Sequence, residues 1–160
     1  MPSAVDQPPV KPEITHARSP VRQISVFLYN RVGALLSIVK LLNEHDIEVL
    51  GLSVQDSVEL TLVRLVVTDP DRAKTIFEAD GHPCASKPIV VVELKEGVHD
   101  LGHALSGLLA AEINIHHSYP LMIRPNGKPL LALYTDDYEI GGESLTKCGF
   151  KVLSQEELSR

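Results

Sequence analysis

A change of periodicity between residues 23 and 42 constrains the fold more than any other feature of the sequence. Residues 23–29 alternate between two faces, with Ile24, Val26 and Leu28 on one side, which is the period of a β-strand. Apolar residues then recur at helical spacing, at Val32, Leu35, Leu36, Val39 and Leu42. The sequence therefore predicts a strand that leads directly into a helix, with Gly33 at the junction.

A junction of this kind can hold a ligand. A glycine such as Gly33 lets the backbone turn sharply and approach a ligand without an intervening Cβ. The first turn of the helix carries N–H groups that attract a carboxylate or a phosphate. The amide of Asn30 both donates and accepts, which suits a zwitterion such as an amino acid. The alternative is that Asn30 only shapes the turn and Gly33 only relieves strain.

The residues after this helix continue a recognisable order of elements. Strands are predicted at 47–54 and 60–67, joined as a hairpin. A second helix begins after Asp69, the predicted N-cap, with Pro70 at its first position, and Gly81 ends it. A closing strand is predicted at 89–94. The order β-α-β-β-α-β is that of a ferredoxin-like unit.

The same order then repeats. A helix is predicted at 98–111, strands at 113–123 and 130–135 with a turn at 125–127 between them, and a short last strand at 150–153. Gly141 and Gly142 are predicted to interrupt the last helix. The pairs Thr68-Asp69 and Thr135-Asp136 recur 67 residues apart, so two copies of one unit are predicted.

Two complete units need more strands than the sequence supplies. Only residues 84–94 lie between the second helix and the third, so this segment is predicted to serve both units, bent at Pro88. The predicted fold is α+β, with two tandem ferredoxin-like βαββαβ units whose antiparallel sheets carry helices on one face. Residues 1–20 are polar and rich in proline, which predicts a flexible tail. The two domains are predicted at 21–88 and 89–160.

Composition excludes several classes of function. The net charge of −6 and the lack of a basic run argue against a nucleic-acid partner. No long apolar run and no leader pattern are present, so we expect no membrane association and a cytoplasmic location. The two cysteines, Cys84 and Cys148, are far apart in the sequence, which indicates free thiols in a reducing compartment.

Four histidines are the candidate metal ligands in the sequence. His99 and His103 share a helical face, and His116 and His117 follow on a strand, so a metal site is conceivable. Adjacent strand residues point to opposite faces, however, so only one member of the second pair is able to join. No pair of nucleophile and base and no phosphate-binding loop is present. We therefore expect no metal, no cofactor and no enzymatic activity.

The repeat, with Asn-x-x-Gly between its first strand and first helix, resembles the ACT domain over residues 22–155. The tandem arrangement is similar to stand-alone tandem-ACT proteins of bacteria. In this family, the loop after the first strand of one domain and the start of the second strand of a neighbouring domain hold an amino-acid effector. The resemblance assigns a loop contact to Asn30, Arg31, Val32, Gly33, Ala34 and Leu35. It places Asn114, followed by Ile115, on the facing strand.

Departures from the family pattern affect both copies. Family loops often carry proline before the glycine, where this chain has Val32, so the loop is expected to be less rigid. In the second copy either Gly102, next to Leu101, or Asp100 corresponds to Gly33, depending on the alignment. An aspartate there, together with Glu48 on the facing strand, would repel a carboxylate. The second loop is therefore the weaker candidate.

The resemblance implies a non-catalytic regulator that binds a small amino acid. Its apolar loop favours a branched-chain amino acid and a protein similar to an acetolactate synthase regulatory subunit. A homodimer is predicted because open sheet edges need to be covered. Two alternatives stay open: a ligand-free interaction subunit of a biosynthetic enzyme, and a metal-responsive regulator.

Overall fold

The computed structural model of the protein describes residues 18–29 and 31–159. Its strands are β1 (Val21–Tyr29), β2 (Val49–Asp56), β3 (Leu60–Val67), β4 (Cys84–Glu93), β5 (Ile115–Pro120), β6 (Leu130–Thr135) and β7 (Lys151–Val152). Its α-helices are α1 (Ala34–Glu44), α2 (Pro70–Ala79), α3 (Leu101–Ala110), α4 (Tyr138–Lys147) and α5 (Gln155–Leu158). Short 3₁₀ turns lie at Gly97–Asp100 and Pro125–Gly127.

Strand β4 belongs to both ferredoxin-like units. The antiparallel sheet has the order β2-β3-β1-β4-β6-β5, and β7 also pairs with β4. The first part of β4, residues 84–89, pairs with β1. Its second part, residues 90–93, precedes α3 and pairs with β6. Val92 and Glu93 also pair with β7. The tandem βαββαβ order and the shared strand are confirmed.

Each unit buries one face of its part of the sheet beneath its own helices. In the first unit, Ile24 and Val26 of β1 pack with Ile38, Leu42 and Phe77 of the helices. In the second unit the equivalent core is formed by Val90, Val92, Ala104, Leu108 and Leu145. Each of the Val, Leu, Ile and Phe side chains among them contributes roughly 1.5–3 kcal/mol on full burial. The predicted placement of helices on one face of the sheet is confirmed.

The helix-free faces of the two units, defined as the sheet faces opposite α1–α4, pack against each other. The sequence did not predict this packing. Their common core is formed by Val21, Leu50, Val66, Ile89, Val91, Tyr119, Leu121, Leu130, Ala132, Leu153 and Leu158. A Cβ at Gly51 would collide with the side chain of Leu121. Beside it, the N–H of Met122 donates to the carbonyl of Leu50 at 2.7 Å. The glycine in β2 therefore allows the two units to approach closely.

Two predictions about local structure are wrong. Helix α4 continues through Gly141 and Gly142 instead of breaking there. Gly141 is buried, and a Cβ on it would lie 3.3 Å from Oγ1 of Thr135, so the absence of a side chain serves close packing of the helix on β6. Val32, assigned to the apolar stripe of the first helix, precedes α1 and is fully exposed.

The chain end packs against the start of β1. Helix α5, which was not predicted, begins with a capping box between Ser154 and Glu157. The N–H of Gln155 donates to the carbonyl of Ser19 at 2.9 Å, and Arg18 forms an ion pair with Glu157 at 3.1 Å. Of the flexible tail predicted over residues 1–20, residues 1–17 lie outside the described residues, so the flexibility of that part stays a prediction, whereas residues 18–20 make these contacts. No helix in the described part of the chain has the length and apolarity needed to cross a membrane.

Candidate ligand-binding site

The first strand-to-helix junction is a tight turn that requires glycine. Helix α1 begins at Ala34, and its N-cap Gly33 has a left-handed backbone with φ 82°, which glycine adopts without the strain of a Cβ. The N–H of Arg31 donates to the carbonyl of Tyr29 at 2.7 Å, and the N–H of Ala34 donates to the carbonyl of Arg31 at 3.2 Å. The turn thereby carries the chain from β1 into α1 within four residues.

An open cleft of about 450 Å³ lies at this junction. It is lined by the end of β1, by the junction and first turn of α1, and by the loop between α2 and β4: Phe27, Leu28, Tyr29, Arg31, Val32, Gly33, Ala34, Ser37, Gly81, His82 and Pro83. The N–H of Phe27 donates to the carbonyl of Pro83 at 3.2 Å, which holds the loop between α2 and β4 beside the junction. A Cβ on Gly33 would meet nothing within 4 Å. A ligand atom therefore has room directly over the Gly33 backbone.

The electrostatics of the cleft favour an anion. The first turn of α1 contains no acidic residue, and the N-terminus of this 11-residue helix carries the positive end of its dipole. The guanidinium carbon of Arg31 lies 6.0 Å from the centre of the Tyr29 ring at the cleft. His82, opposite the turn, lies 3.0 Å from the carboxylate of Asp80.

The second junction also has a left-handed glycine with open space over it, but the carboxylate of Asp100 lies beside this turn. Gly97 follows the end of β4 at Glu93 by four residues, as Gly33 follows Tyr29, and its φ of 67° is also left-handed. A 3₁₀ turn at Gly97–Asp100 precedes α3. The carboxylate of Asp100 accepts a hydrogen bond from the N–H of Glu96 at 2.9 Å. Lys95 Nζ donates to the carbonyl of Gly149 at 3.3 Å and bridges to the next loop.

The predicted loop residues divide between the cleft and the helices. Asn30 lies outside the described residues. Arg31, Val32, Gly33 and Ala34 line the cleft, whereas Leu35 is half-buried against the first helical core. Leu101 and Gly102 lie in the first turn of α3, beyond the left-handed glycine.

The facing-strand residues lie at equivalent ends of the two units. The N–H of Asn114 donates to Oδ1 of Asp136 at 3.1 Å, and the N–H of Glu48 donates to Oγ1 of Thr68 at 3.0 Å. Both side chains are exposed, and Ile115 packs against the second helical core. None of the three is among the residues that line the described cleft.

Sequence reasoning missed Gly97, His82 and Pro83. The signal for Gly97 was present, because Leu-Lys-Glu-Gly follows β4 as Asn-Arg-Val-Gly follows β1. His82 and Pro83 carried no such signal, since only the tertiary structure brings the loop before β4 to the junction. The described residues contain no group of three or more His, Cys, Asp or Glu side chains arranged to hold a metal ion.

Comparison with known proteins gives a family and a fold. The profile of the family described as an ACT domain pair matches residues 19–160. A Bacteroides thetaiotaomicron protein superposes with a TM-score of 0.81 at 20% identity, over 89% of this chain and 98% of that one. The aspartate kinase regulatory subunits from Thermus thermophilus and Thermus flavus have TM-scores of 0.56 and 0.54 at 12% and 15% identity. These two matches cover 81% and 82% of this chain and 93% and 94% of the subunits.

No curated protein sequence matches this chain. At these identities the solved structures establish the architecture, and the family assignment comes from the profile, which spans both units and the strand they share. Two strand-to-helix junctions built on left-handed glycines agree with that assignment. The chain belongs to the family of ACT domain pairs.

Proposed function

We propose that this protein is a non-catalytic regulator that binds a small amino acid at the first strand-to-helix junction. The observation that carries the proposal is the open space over the left-handed Gly33 at the N-terminus of α1, within a cleft of about 450 Å³. A carboxylate placed there meets backbone N–H groups and the positive end of the helix dipole. The structural likeness to aspartate kinase regulatory subunits agrees with a regulatory role.

The lining of the cleft favours an amino acid with an apolar side chain. Phe27, Val32 and Pro83 supply apolar surface beside the turn. The Asn30 amide is proposed to bind the ammonium and carboxylate groups, as its ability to donate and accept allows. A branched-chain amino acid fits this combination, and the enzyme under control would then belong to amino-acid biosynthesis, with acetolactate synthase as the first candidate.

A second copy of the chain is proposed to complete the site. Asn114 is exposed and does not line the cleft of its own chain, so an Asn114 that takes part in this site has to come from a neighbour. Helix α3 and the turn before it expose an apolar stripe that a neighbour would cover, formed by Val98, Leu101, Leu105 and Leu109. A homodimer supplies both requirements. Sedimentation at micromolar concentration should give twice the mass of one chain, and a monomer mass would contradict this part of the proposal.

A thermal-shift screen of the common amino acids tests the proposal. A ligand that binds only the native state raises the melting temperature by mass action. At a concentration a hundredfold above Kd, it adds about 2.7 kcal/mol to the free energy of unfolding. We expect an apolar amino acid to do so. No shift with any amino acid would contradict ligand binding and favour the ligand-free interaction subunit.

Calorimetry with the amino acid identified in this way locates the site. Asn30→Ala should weaken binding at least about tenfold, because hydrogen bonds to charged groups are lost, and Asn114→Ala should weaken it similarly. Asn43→Ala, at an exposed position near the other end of α1, is the matched control and should not change the affinity. Unchanged affinity in the Asn30 and Asn114 variants would place the effector elsewhere.

A further inference from the structure

A second cleft, separate from the junction, lies between the two units. The second unit covers only part of the helix-free face of the first sheet, and beside it a cleft of about 370 Å³ remains open. Its floor is formed by side chains of β1, β3 and β4, and its wall by β5 and β6. The lining residues are Gln23, Ser25, Phe27, Leu62, Arg64, Ala85, Lys87, His116, His117 and Tyr134.

This cleft is cationic in an acidic protein. The chain has 21 acidic residues and 15 lysines and arginines, yet the lining contains Arg64 and Lys87 and no acidic residue. Within the described residues, neither cation has a carboxylate oxygen within 4.0 Å. Arg64 donates to the amide oxygen of Gln55 at 3.2 Å, and Lys87 donates to the hydroxyl of Tyr134 at 3.3 Å. Both positive charges are thus held by neutral partners and remain uncompensated at the cleft.

Arg64 and Lys87 lie on the two strands that flank β1 in the cleft floor. Arg64 pairs with Ser25 of β1, and Lys87 pairs with Gln23 on the other side of the same strand. Two interstrand spacings and two residues of rise separate their backbones by about 12 Å. All four side chains point to the same face, because residues two apart on a strand share a face. Once they leave their present acceptors, Gln55 and Tyr134, the long side chains of Arg64 and Lys87 can reach a common point above Ser25.

Aromatic rings form the wall beside these charges. The Tyr134 ring centre lies 5.4 Å from that of His116 and 5.0 Å from that of His117, the latter pair being stacked. Phe27 is 45% exposed on the floor. A planar group has both ring faces and apolar surface to contact here.

The inner end of the cleft is a neutral hydrogen-bonded network. The side-chain oxygen of Gln23 accepts hydrogen bonds from the Tyr119 hydroxyl at 2.6 Å and from His117 Nε2 at 3.1 Å. Burial, together with the charges of Arg64 and His116, lowers the pKa of His117 to about 4. His117 is therefore neutral near pH 7 and can hold this network without adding charge.

We propose that this cleft binds a small anion that carries a planar ring, with its acidic group between Arg64 and Lys87 and its ring against Tyr134 and His116. The site is independent of the effector proposed at Gly33, although Phe27 borders both clefts. A carboxylate and a phosphate satisfy the same two cations, so both belong to the proposed class.

Nitrogen-15 NMR titrations of the full chain with phenylacetate, phenyl phosphate, acetate and phenylacetamide test the proposal. Saturable shifts are expected at the amides of Ser25, Lys87 and His116 with the two ring-bearing anions. Phenylacetamide lacks the charge and acetate lacks the ring, so each should bind at least about tenfold more weakly than phenylacetate. Tighter binding of phenyl phosphate points to a phosphate ligand, and weaker binding to a carboxylate. Absence of saturable shifts with both anions, or equal binding of phenylacetate and phenylacetamide, would overturn the proposal.

Matched variants locate the site and separate it from the effector site. Ala85 is exposed on the cleft floor, so Ala85→Glu places a negative charge there, whereas Ala85→Gln adds similar bulk without charge. Ala85→Glu should reduce phenylacetate binding at least tenfold relative to Ala85→Gln. Lys87→Gln should also weaken binding, whereas Lys40→Gln, on the exposed surface of α1, should not. Gly33→Asp should leave phenylacetate binding unchanged; equal binding in the two Ala85 variants would overturn the assignment.

Discussion

The two strand-to-helix junctions share a left-handed glycine and differ in the charge that lies beside it. Gly33 and Gly97 both have left-handed backbones, four residues after the ends of β1 and β4. The first turn opens onto a cleft of about 450 Å³. At the second turn, the carboxylate of Asp100 accepts the N–H of Glu96, and Lys95 bridges to Gly149. Both copies therefore keep a left-handed glycine at this junction, and only the second copy places a carboxylate of its own beside it.

This difference indicates how a duplicated unit can keep one binding site. An anion at the first junction has to come from a ligand, because the first turn of α1 has no acidic residue. At the second junction, Asp100 already provides the negative charge. An exposed side-chain acceptor on a backbone N–H near a helix start contributes about 0.5–2 kcal/mol. A ligand carboxylate at the second junction would have to displace the carboxylate of Asp100 and would be repelled by its charge. We therefore expect one effector per chain, bound at the first junction.

The comparison is tested most strongly by placing the same charge at both glycines. Gly33→Asp puts a carboxylate where the effector carboxylate is proposed to bind and should lower its affinity at least about a hundredfold. Gly97→Asp should leave the affinity unchanged. Both variants place a side chain at a left-handed residue, which costs about 1 kcal/mol of stability, so each controls for the strain in the other. Calorimetry on the ligand found by the thermal screen measures the difference; equal losses in the two variants would refute it.

Removing the carboxylate that binds the backbone at the second junction should destabilise the chain. Asp100→Ala leaves the N–H of Glu96 without its acceptor, and we expect the free energy of unfolding to fall by about 1–2 kcal/mol. Asp100→Asn keeps an acceptor oxygen and should lose about half as much. Urea denaturation measures both. If Asp100→Ala is as stable as the natural chain, this contact does not stabilise the second junction.

The lysine bridge at the second junction should contribute less. Lys95→Met keeps the length of the side chain but removes the donor to the Gly149 carbonyl, so we expect a loss of roughly 0.5–1 kcal/mol in urea denaturation. Arg31→Met is the counterpart at the first junction, where the exposed guanidinium lies near the Tyr29 ring, and should change stability by less than about 0.5 kcal/mol. A reversed order would mean that Arg31, and not Lys95, ties its loop to the fold.

Sequence periodicity was sufficient for the element order and for the shared strand. Counting strands between α2 and α3 located the sharing in β4, because the ferredoxin-like order demands a strand that only residues 84–94 supply. The packing of the helix-free faces could not be predicted, since Val21 and Leu121 lie far apart in sequence and meet only through the crossing of the two units. The prediction that Gly141 interrupts the last helix was wrong for a related reason. Its lack of a side chain allows close contact with Thr135 and does not mark a helix end.

The candidate site also has one part that the sequence predicted and one part that it did not. The motif around Gly33 predicted the turn, because a left-handed residue and a helix N-terminus are local properties. The opposite wall of the cleft, His82 and Pro83, comes from a loop some fifty residues later and is placed by the pairing of β4 with β1. In the second unit the left-handed glycine is Gly97 and not Gly102. The alignment from the helix missed it, because the 3₁₀ turn before α3 adds residues between Gly97 and the helix.

The smallest expected effect comes from exchanging the residues that precede the two glycines. Val32 is fully exposed at the first junction, and Glu96 holds the equivalent place at the second. Val32→Glu should change the free energy of unfolding by less than about 0.5 kcal/mol but should weaken a carboxylate ligand several-fold through like-charge repulsion. Because exposed charges are screened by salt, the loss should shrink between low and high ionic strength. Glu96→Val should leave effector binding unchanged at both. A loss in Val32→Glu that does not respond to salt would mean that Val32 contributes apolar contact to the ligand, and that charge is not what distinguishes the two junctions.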